Sequence, residues 1–170
     1  MFRPGELIVY GRTGVCRVEK VEEQDHRQYY CLQALYQNCR IHAPVNGKVL
    51  MRPVLTRSEA DRLIDRIPSV IAEPVENHVL RELTNHYLAS INTCDAAELL
   101  AMTMSIYAKK QQALKNKKKL GAIDERFLRE GESLLFGELA VSLGIAPGEV
   151  PNYIRARVSE RSGSRAGKQE

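Results

Sequence analysis

At 170 residues, with 44% hydrophobic and 27% charged side chains, the chain has room for one ordinary domain or two small ones and the composition of a soluble globular protein. No run approaches the roughly eighteen apolar residues that a membrane span needs, and Arg3 and Glu6 stand where a signal peptide would carry its apolar core, so a cytoplasmic protein that meets no membrane is expected. The net charge of +4 hides an uneven distribution, because Lys109, Lys110, Lys115, Lys117, Lys118 and Lys119 cluster with no acid between them and set up a local positive field.

The first 55 residues read as short strands. Leu7 to Tyr10 lies between Pro4-Gly5 and the glycines Gly11 and Gly14, a strand bracketed by turn formers. Val15 to Lys20 alternates imperfectly with period two. Gln28 to Tyr36 alternates with apolar residues on both faces, which predicts the most buried strand. A short strand from Cys39 to Ala43 stops at Pro44, and Asn46-Gly47 is the strongest two-residue hairpin signal, leading into Lys48 to Arg52. Five strands this short close most economically as a curled sheet or SH3-like barrel with one edge left open.

After Leu55 the periodicity changes to helical and stays so. Thr56-Arg57-Ser58-Glu59 is a capping box that opens a short helix with Leu63, Ile64 and Ile67 on one face and Pro68 as its stop, a connector over 56–73. Glu73-Pro74 opens the next helix, in which Val75, Val79, Leu83, Tyr87 and Ile91 form a stripe widened by Leu80 and Leu88. Asn92-Thr93 caps a third helix, with Asp95 and Glu98 in its first turn, running into the lysines and ending at Gly121. A fourth begins near Ile123, turns Phe127, Leu134, Leu135 and Leu139 inward and stops at Gly144. Pro147 and Pro151 bracket the start of a short last helix, and residues 159–170, poor in apolar side chains, are expected to be disordered. The expected class is α+β with two domains: a five-stranded SH3/Tudor-like barrel over 1–55, then an all-α domain of four to five helices over 74–158.

No metal or catalytic frame stands out. Cys16, Cys31, Cys39 and Cys94 lack CxxC or Cys/His spacing, and His78 and His86, eight residues apart, are about 12 Å apart along a helix. There is no Gly-rich phosphate loop, GxSxG or HExxH. The expectation is a protein that is not an enzyme, with no cofactor and no small-molecule substrate.

Phe2, Gly5, Val9, Tyr10, Gly14 and Val15, in the pattern F-x-x-G-x-x-V-Y-x-x-x-G-V, are followed by Pro44 and by Arg52-Pro53-Val54, with Gly137-Glu138-Leu139-Ala140 in the helical half. In this order and spacing the chain resembles the bacterial CarD family of transcription regulators, whose N-terminal half is similar to the polymerase-interacting domain of transcription-repair coupling factors. The resemblance implies a Tudor-like barrel that docks on the β subunit of RNA polymerase by strand addition, and a helical domain that touches promoter DNA and stabilises the open complex. The docking edge maps to Asn38, Cys39, Arg40, Ile41, His42 and Ala43. His42 stands where the family tends to have arginine, and Arg40, two residues back, falls on the same side of the strand.

The family's DNA-wedging tryptophan is missing, since the chain has no Trp. The corresponding position is about Leu80, with Arg81 following. Leu80 extends an apolar stripe, which favours core packing, while the resemblance implies a wedge between base steps. With the six lysines, read either as a solvated face or as phosphate contacts, Leu80 and Arg81 complete the expected DNA-binding set. Glu82 and Glu125 stand where relatives carry basic residues, and favour the alternative of an adaptor that binds polymerase or another protein without touching DNA.

Overall fold

A computed structural model describes residues 1–166 of the chain. Strands β1 (Leu7–Tyr10), β2 (Gly14–Gln24), β3 (Arg27–Ala34), β4 (Arg40–Pro44) and β5 (Met51–Pro53) form one antiparallel sheet in the order β4-β3-β2-β1-β5. Five helices follow: α1 (Arg57–Asp65), α2 (Leu80–Asn92), α3 (Ala96–Lys115), α4 (Ala122–Leu143) and α5 (Val150–Ala166). A barrel-like β domain followed by a helical domain is the α+β architecture read from the sequence.

The inner face of the sheet is a small core of Ile8, Cys16, Val18, Tyr30, Leu32 and Ala43. Asp25 and His26, with φ of 51° and 60°, make the two-residue turn that pairs Gln24 with Arg27. Left-handed residues at both positions match the twist of the flanking strands. Asn46-Gly47, expected to do this for a hairpin, instead sits in a turn closed by the Gly47 N–H donating to the Pro44 carbonyl at 3.0 Å. The chain then crosses to the far edge, where β5 pairs with β1, so the expected strand from Lys48 shrinks to three residues.

The imperfect alternation of β2 has a cause. The register with β3 shifts between Val18 and Lys20, a bulge that leaves Glu19 and Lys20 both exposed. Cys16 and Val18 point inward before it and Val21 after it, so Lys20 and Glu22 are turned to the outer face. In β3, Tyr30, Leu32 and Ala34 are buried while Tyr29, Cys31 and Gln33 are only half-buried, so the strand buries one face and not both.

In the helical half, Thr56 caps α1 as expected. Its hydroxyl accepts from the Glu59 N–H, and the Glu59 carboxylate accepts from the Thr56 N–H. α1 is more than a connector: Ala60, Leu63 and Ile64 belong to the core that holds Tyr87, Ile106 and Phe127. α2 begins at Leu80 and not at Glu73-Pro74, because side chains of α3 capture the backbone before it. Ser105 donates to the Glu73 carbonyl at 2.6 Å and Lys109 to the Val75 carbonyl at 3.1 Å. The cap of α3 is Asp95, whose carboxylate accepts from the Ala97 and Glu98 N–H groups, and Asn92 and Thr93 close α2 instead. Gly121 is the N-cap of α4 and not the stop of α3, which ends at Lys115; Gly144, at φ 68°, ends α4 as its sequence predicts.

The expected disordered tail is helical as far as the described residues reach, and residues 167–170 lie outside them. Composition alone misses the anchors: Arg157 pairs with Asp65 at 2.7 Å and Arg161 pairs with it at 2.8 Å, while the Tyr153 hydroxyl donates to Asp61. The Arg157 hydrogen bond holds the Asp65 carboxyl below its ordinary range. A depressed folded pKa means that the anchoring is present above the unfolded value of about 4 and is lost as pH falls through the folded value. The protection factors of the amides at residues 159–166, taken against the intrinsic exchange rate at each pH, are therefore expected to fall on acidification below about pH 4, and Asp65→Asn to lower them in the same way at pH 7. Equal protection in wild type and Asp65→Asn at pH 7 would show that the ion pairs do not hold the helix.

Candidate protein-interaction site

β4 is bonded on one side only, to β3. The Ala34 N–H donates to the Cys39 carbonyl and the Val45 N–H to the Gln28 carbonyl, both at 2.9 Å. Antiparallel ladders repeat every second residue, so Cys39, Ile41, Ala43 and Val45 turn their backbone groups to β3. Arg40 and His42 consequently present N–H and C=O groups to the open edge. Pro44, which has no N–H, ends that row.

The six residues expected at this edge divide by position. Asn38 and Cys39 lie in the turn before β4; Ile41 packs inward and Ala43 is fully buried; Arg40 and His42 share the outer face, as their spacing predicts. Arg40 donates to the Gln33 side chain at 3.1 Å and stands 4.0 Å from Glu19. The His42 ring stacks on Tyr29 at 4.7 Å with an interplanar angle of 6°, and its Nε2 lies 3.4 Å from Glu22. The Cys31 thiol donates to the same carboxylate at 3.2 Å. Its ion pair with Lys20, and then the Cys31 hydrogen bond, hold the Glu22 carboxyl down at about 2, while burial and Glu22 push the Cys31 thiol up.

The opposite edge of the sheet is consumed by the helices. Arg52 of β5 makes a two-pronged pair with Glu138 of α4 at 2.5 and 2.8 Å, and its Nε donates to the Cys94 carbonyl between α2 and α3. Glu138 is 2% exposed and also accepts from the Leu55 N–H. Tyr36 donates to the Gly137 carbonyl at 3.1 Å, and its ring lies where a Cβ on Gly137 would come within 3.1 Å. Gly14, at φ 83°, lies against Leu134 of α4, where a Cβ would come within 3.1 Å. Val9 and Val15 line the same seam. Of the residues that carry the resemblance, Val9, Gly14, Val15, Arg52, Gly137 and Glu138 therefore meet at one junction, a role that no single motif reveals in the sequence.

The expected DNA-binding set is partly dismantled. Lys109 has a side chain only 14% exposed, 2.9 Å from Asp124, which also accepts from the buried Tyr87 hydroxyl at 2.6 Å. It is an internal ion pair and not a free cation. Lys110, Lys115, Lys117, Lys118 and Lys119 are exposed. Leu80, expected to pack in the core as part of its stripe, is 63% exposed because α2 starts at that residue; Val79 and Arg81 beside it are exposed too. The bonds from Ser105 and Lys109 to residues 73 and 75 hold the approach to α2 against α3.

Residues 2–55 match the family model described as the CarD-like/TRCF RID domain. The class this defines is a protein-interaction domain, not a catalytic one. The N-terminal β domain is thus similar to CarD-like RNA-polymerase-interacting domains, and the helices lie beyond the end of the match. No curated protein matches the chain. No single helix among the described residues is long and apolar enough to cross a membrane.

The two kinds of lysine separate by stability. Lys109→Ala leaves Asp124 buried without its cation and is expected to cost about 3 kcal/mol of unfolding free energy. Lys119→Ala is expected to change it by less than about 0.5 kcal/mol. Urea denaturation of both variants checks this, and equal midpoints would place Lys109 among the surface charges.

Proposed function

We propose that the chain is a transcription regulator that docks on the β subunit of RNA polymerase by adding a polymerase strand to β4, and that acts on promoter open complexes with its helical domain near DNA. The supporting observation is the backbone arithmetic of β4 within a CarD-like domain: the Arg40 and His42 amide and carbonyl groups have no partner strand, and strand addition would satisfy them. Arg40 and His42 side chains beside that edge supply register, with Asn38 and Cys39 at its start. In the helical domain, exposed Leu80 and Arg81 and the five exposed lysines Lys110, Lys115, Lys117, Lys118 and Lys119 are the residues suited to duplex DNA, the leucine as a wedge and the cations as phosphate contacts.

The withdrawal of Lys109 into the Asp124 pair, and Glu82 in the first turn of α2, favour a second reading in which the chain is a polymerase-bound adaptor that leaves DNA untouched. Open-complex lifetime at one promoter separates the two. The regulator reading predicts a changed lifetime at saturating protein, and an unchanged lifetime leaves the adaptor.

Proline substitutions test the docking mode. Proline at position 42 removes an N–H that points to the open edge, which an edge strand tolerates, whereas proline at position 41 removes a bond to β3. His42→Pro is expected to fold with near wild-type stability and to lose capture of the polymerase β subunit by the full chain. Ile41→Pro is expected to lose about 1–3 kcal/mol of stability, the cost of leaving its β3 carbonyl partner unpaired. Undiminished capture by folded His42→Pro would rule out strand addition at β4.

A further inference from the structure

The outer face of the sheet gathers a carboxylate, a thiol and an imidazole from three adjacent strands. The donor atoms of Glu22 (β2), Cys31 (β3) and His42 (β4) all lie within 4.8 Å of one another. Glu22 Oε2 is 3.2 Å from Cys31 Sγ and 3.4 Å from His42 Nε2. Ligand bonds of about 2.0–2.3 Å to a tetrahedral zinc ion put donor atoms roughly 3.4–3.6 Å apart, so two edges of the triangle already have nearly the spacing of a ligand set. We propose that Glu22, Cys31 and His42 form a binding site for a late first-row divalent cation, zinc above all, with water completing the tetrahedron.

The donor chemistry selects the ion. A thiolate and an imidazole favour zinc and its neighbours, while magnesium and calcium prefer oxygen throughout. With Cys31 as thiolate and Glu22 as carboxylate, a doubly charged ion makes the site neutral. In the metal-free form the Cys31 thiol proton lies on the line to Glu22 Oε2. On binding, that proton leaves to solvent, the sulfur forms a bond to the metal, and Oε2 exchanges a hydrogen bond for a metal bond.

The surroundings hold the donors in place without filling the site. Lys20 pairs with Oε1, the other oxygen of Glu22, and so orients the carboxylate while leaving Oε2 toward the sulfur and the imidazole. Tyr29 fixes the plane of the His42 ring by stacking. Cys31 and His42 are directly opposite in the β3–β4 register, and the β2 bulge places Glu22 on their face. The sequence gives no warning of the trio, because its members are nine and eleven residues apart and only the sheet register unites them. A bound ion would cross-link three strands, including the one with the open edge, and this holds whether or not polymerase docks there.

Cobalt(II) titration of the full chain, with a non-chelating reductant, tests the proposal. The expected result is a sulfur-to-cobalt charge-transfer band with tetrahedral ligand-field absorption, displaced by zinc. Cys31→Ser is expected to abolish the charge-transfer band. His42→Ala and Glu22→Gln should weaken binding by at least about tenfold, the lower limit of what loss of even an outer-shell partner costs. Cys39→Ser, whose side chain packs against the inner core on the other face of the sheet, should bind as wild type. No charge-transfer band, a band that survives Cys31→Ser, or one indifferent to both His42→Ala and Glu22→Gln would overturn the site.

Discussion

The Arg52–Glu138 pair is the interaction on which the rest of the molecule's arrangement depends. A carboxylate as buried as Glu138 is tolerable only with a charged partner and its remaining lone pairs filled, and Arg52 and the Leu55 N–H fill them. Losing one partner of such a pair typically costs about 3–5 kcal/mol, a large share of the stability of a small domain. The strand that carries Arg52 is the β5 edge of the sheet, so the junction uses up one edge and leaves β4, at the other end of the strand order, as the edge still able to bond. Attachment to the helices and availability for a partner are in this way two consequences of one strand order.

The junction also settles how surfaces are presented. Bidentate Arg12–Glu130 and the Tyr36–Gly137 bond add contacts between the sheet and α4, so the two halves meet along a seam and not through a flexible tether. On the outer face of the sheet, the bulge in β2 shifts Lys20 and Glu22 outward and makes the region beside the edge rich in charge. Charges there discourage indiscriminate edge pairing. The same bulge is what brings the carboxylate of Glu22 to Cys31 and His42.

The class of fold was legible because period two gives way to helical periodicity once, at Leu55, and because Thr56 to Glu59 and Gly144 carry strong local signals. Where local signals compete with tertiary ones, the tertiary ones decide the structure. Asn46-Gly47 has the chemistry of a hairpin turn, but β5 has its partner across the sheet in β1. The stripe from Val75 to Ile91 looked like one helix, yet α3 side chains take its first carbonyls and expose Leu80. Lys109 looked like its neighbours in the lysine run until Asp124, fifteen residues on, was brought against it. The helical end of the chain looked too polar to order because its anchors, Asp61 and Asp65, are remote in sequence. At the edge strand, the outward pairing of Arg40 with His42 was readable from period two, whereas which backbone groups are free required the ladder.

The most direct measurement of the central claim is amide hydrogen exchange on the full chain with and without RNA polymerase. Docking by strand addition predicts that the Arg40 and His42 amides, which face the open edge, become protected, while Ile41 and Ala43, already bonded to β3, change little. Protection confined to the lysine-bearing end of α3, with Arg40 and His42 exchanging as in the free protein, would contradict it.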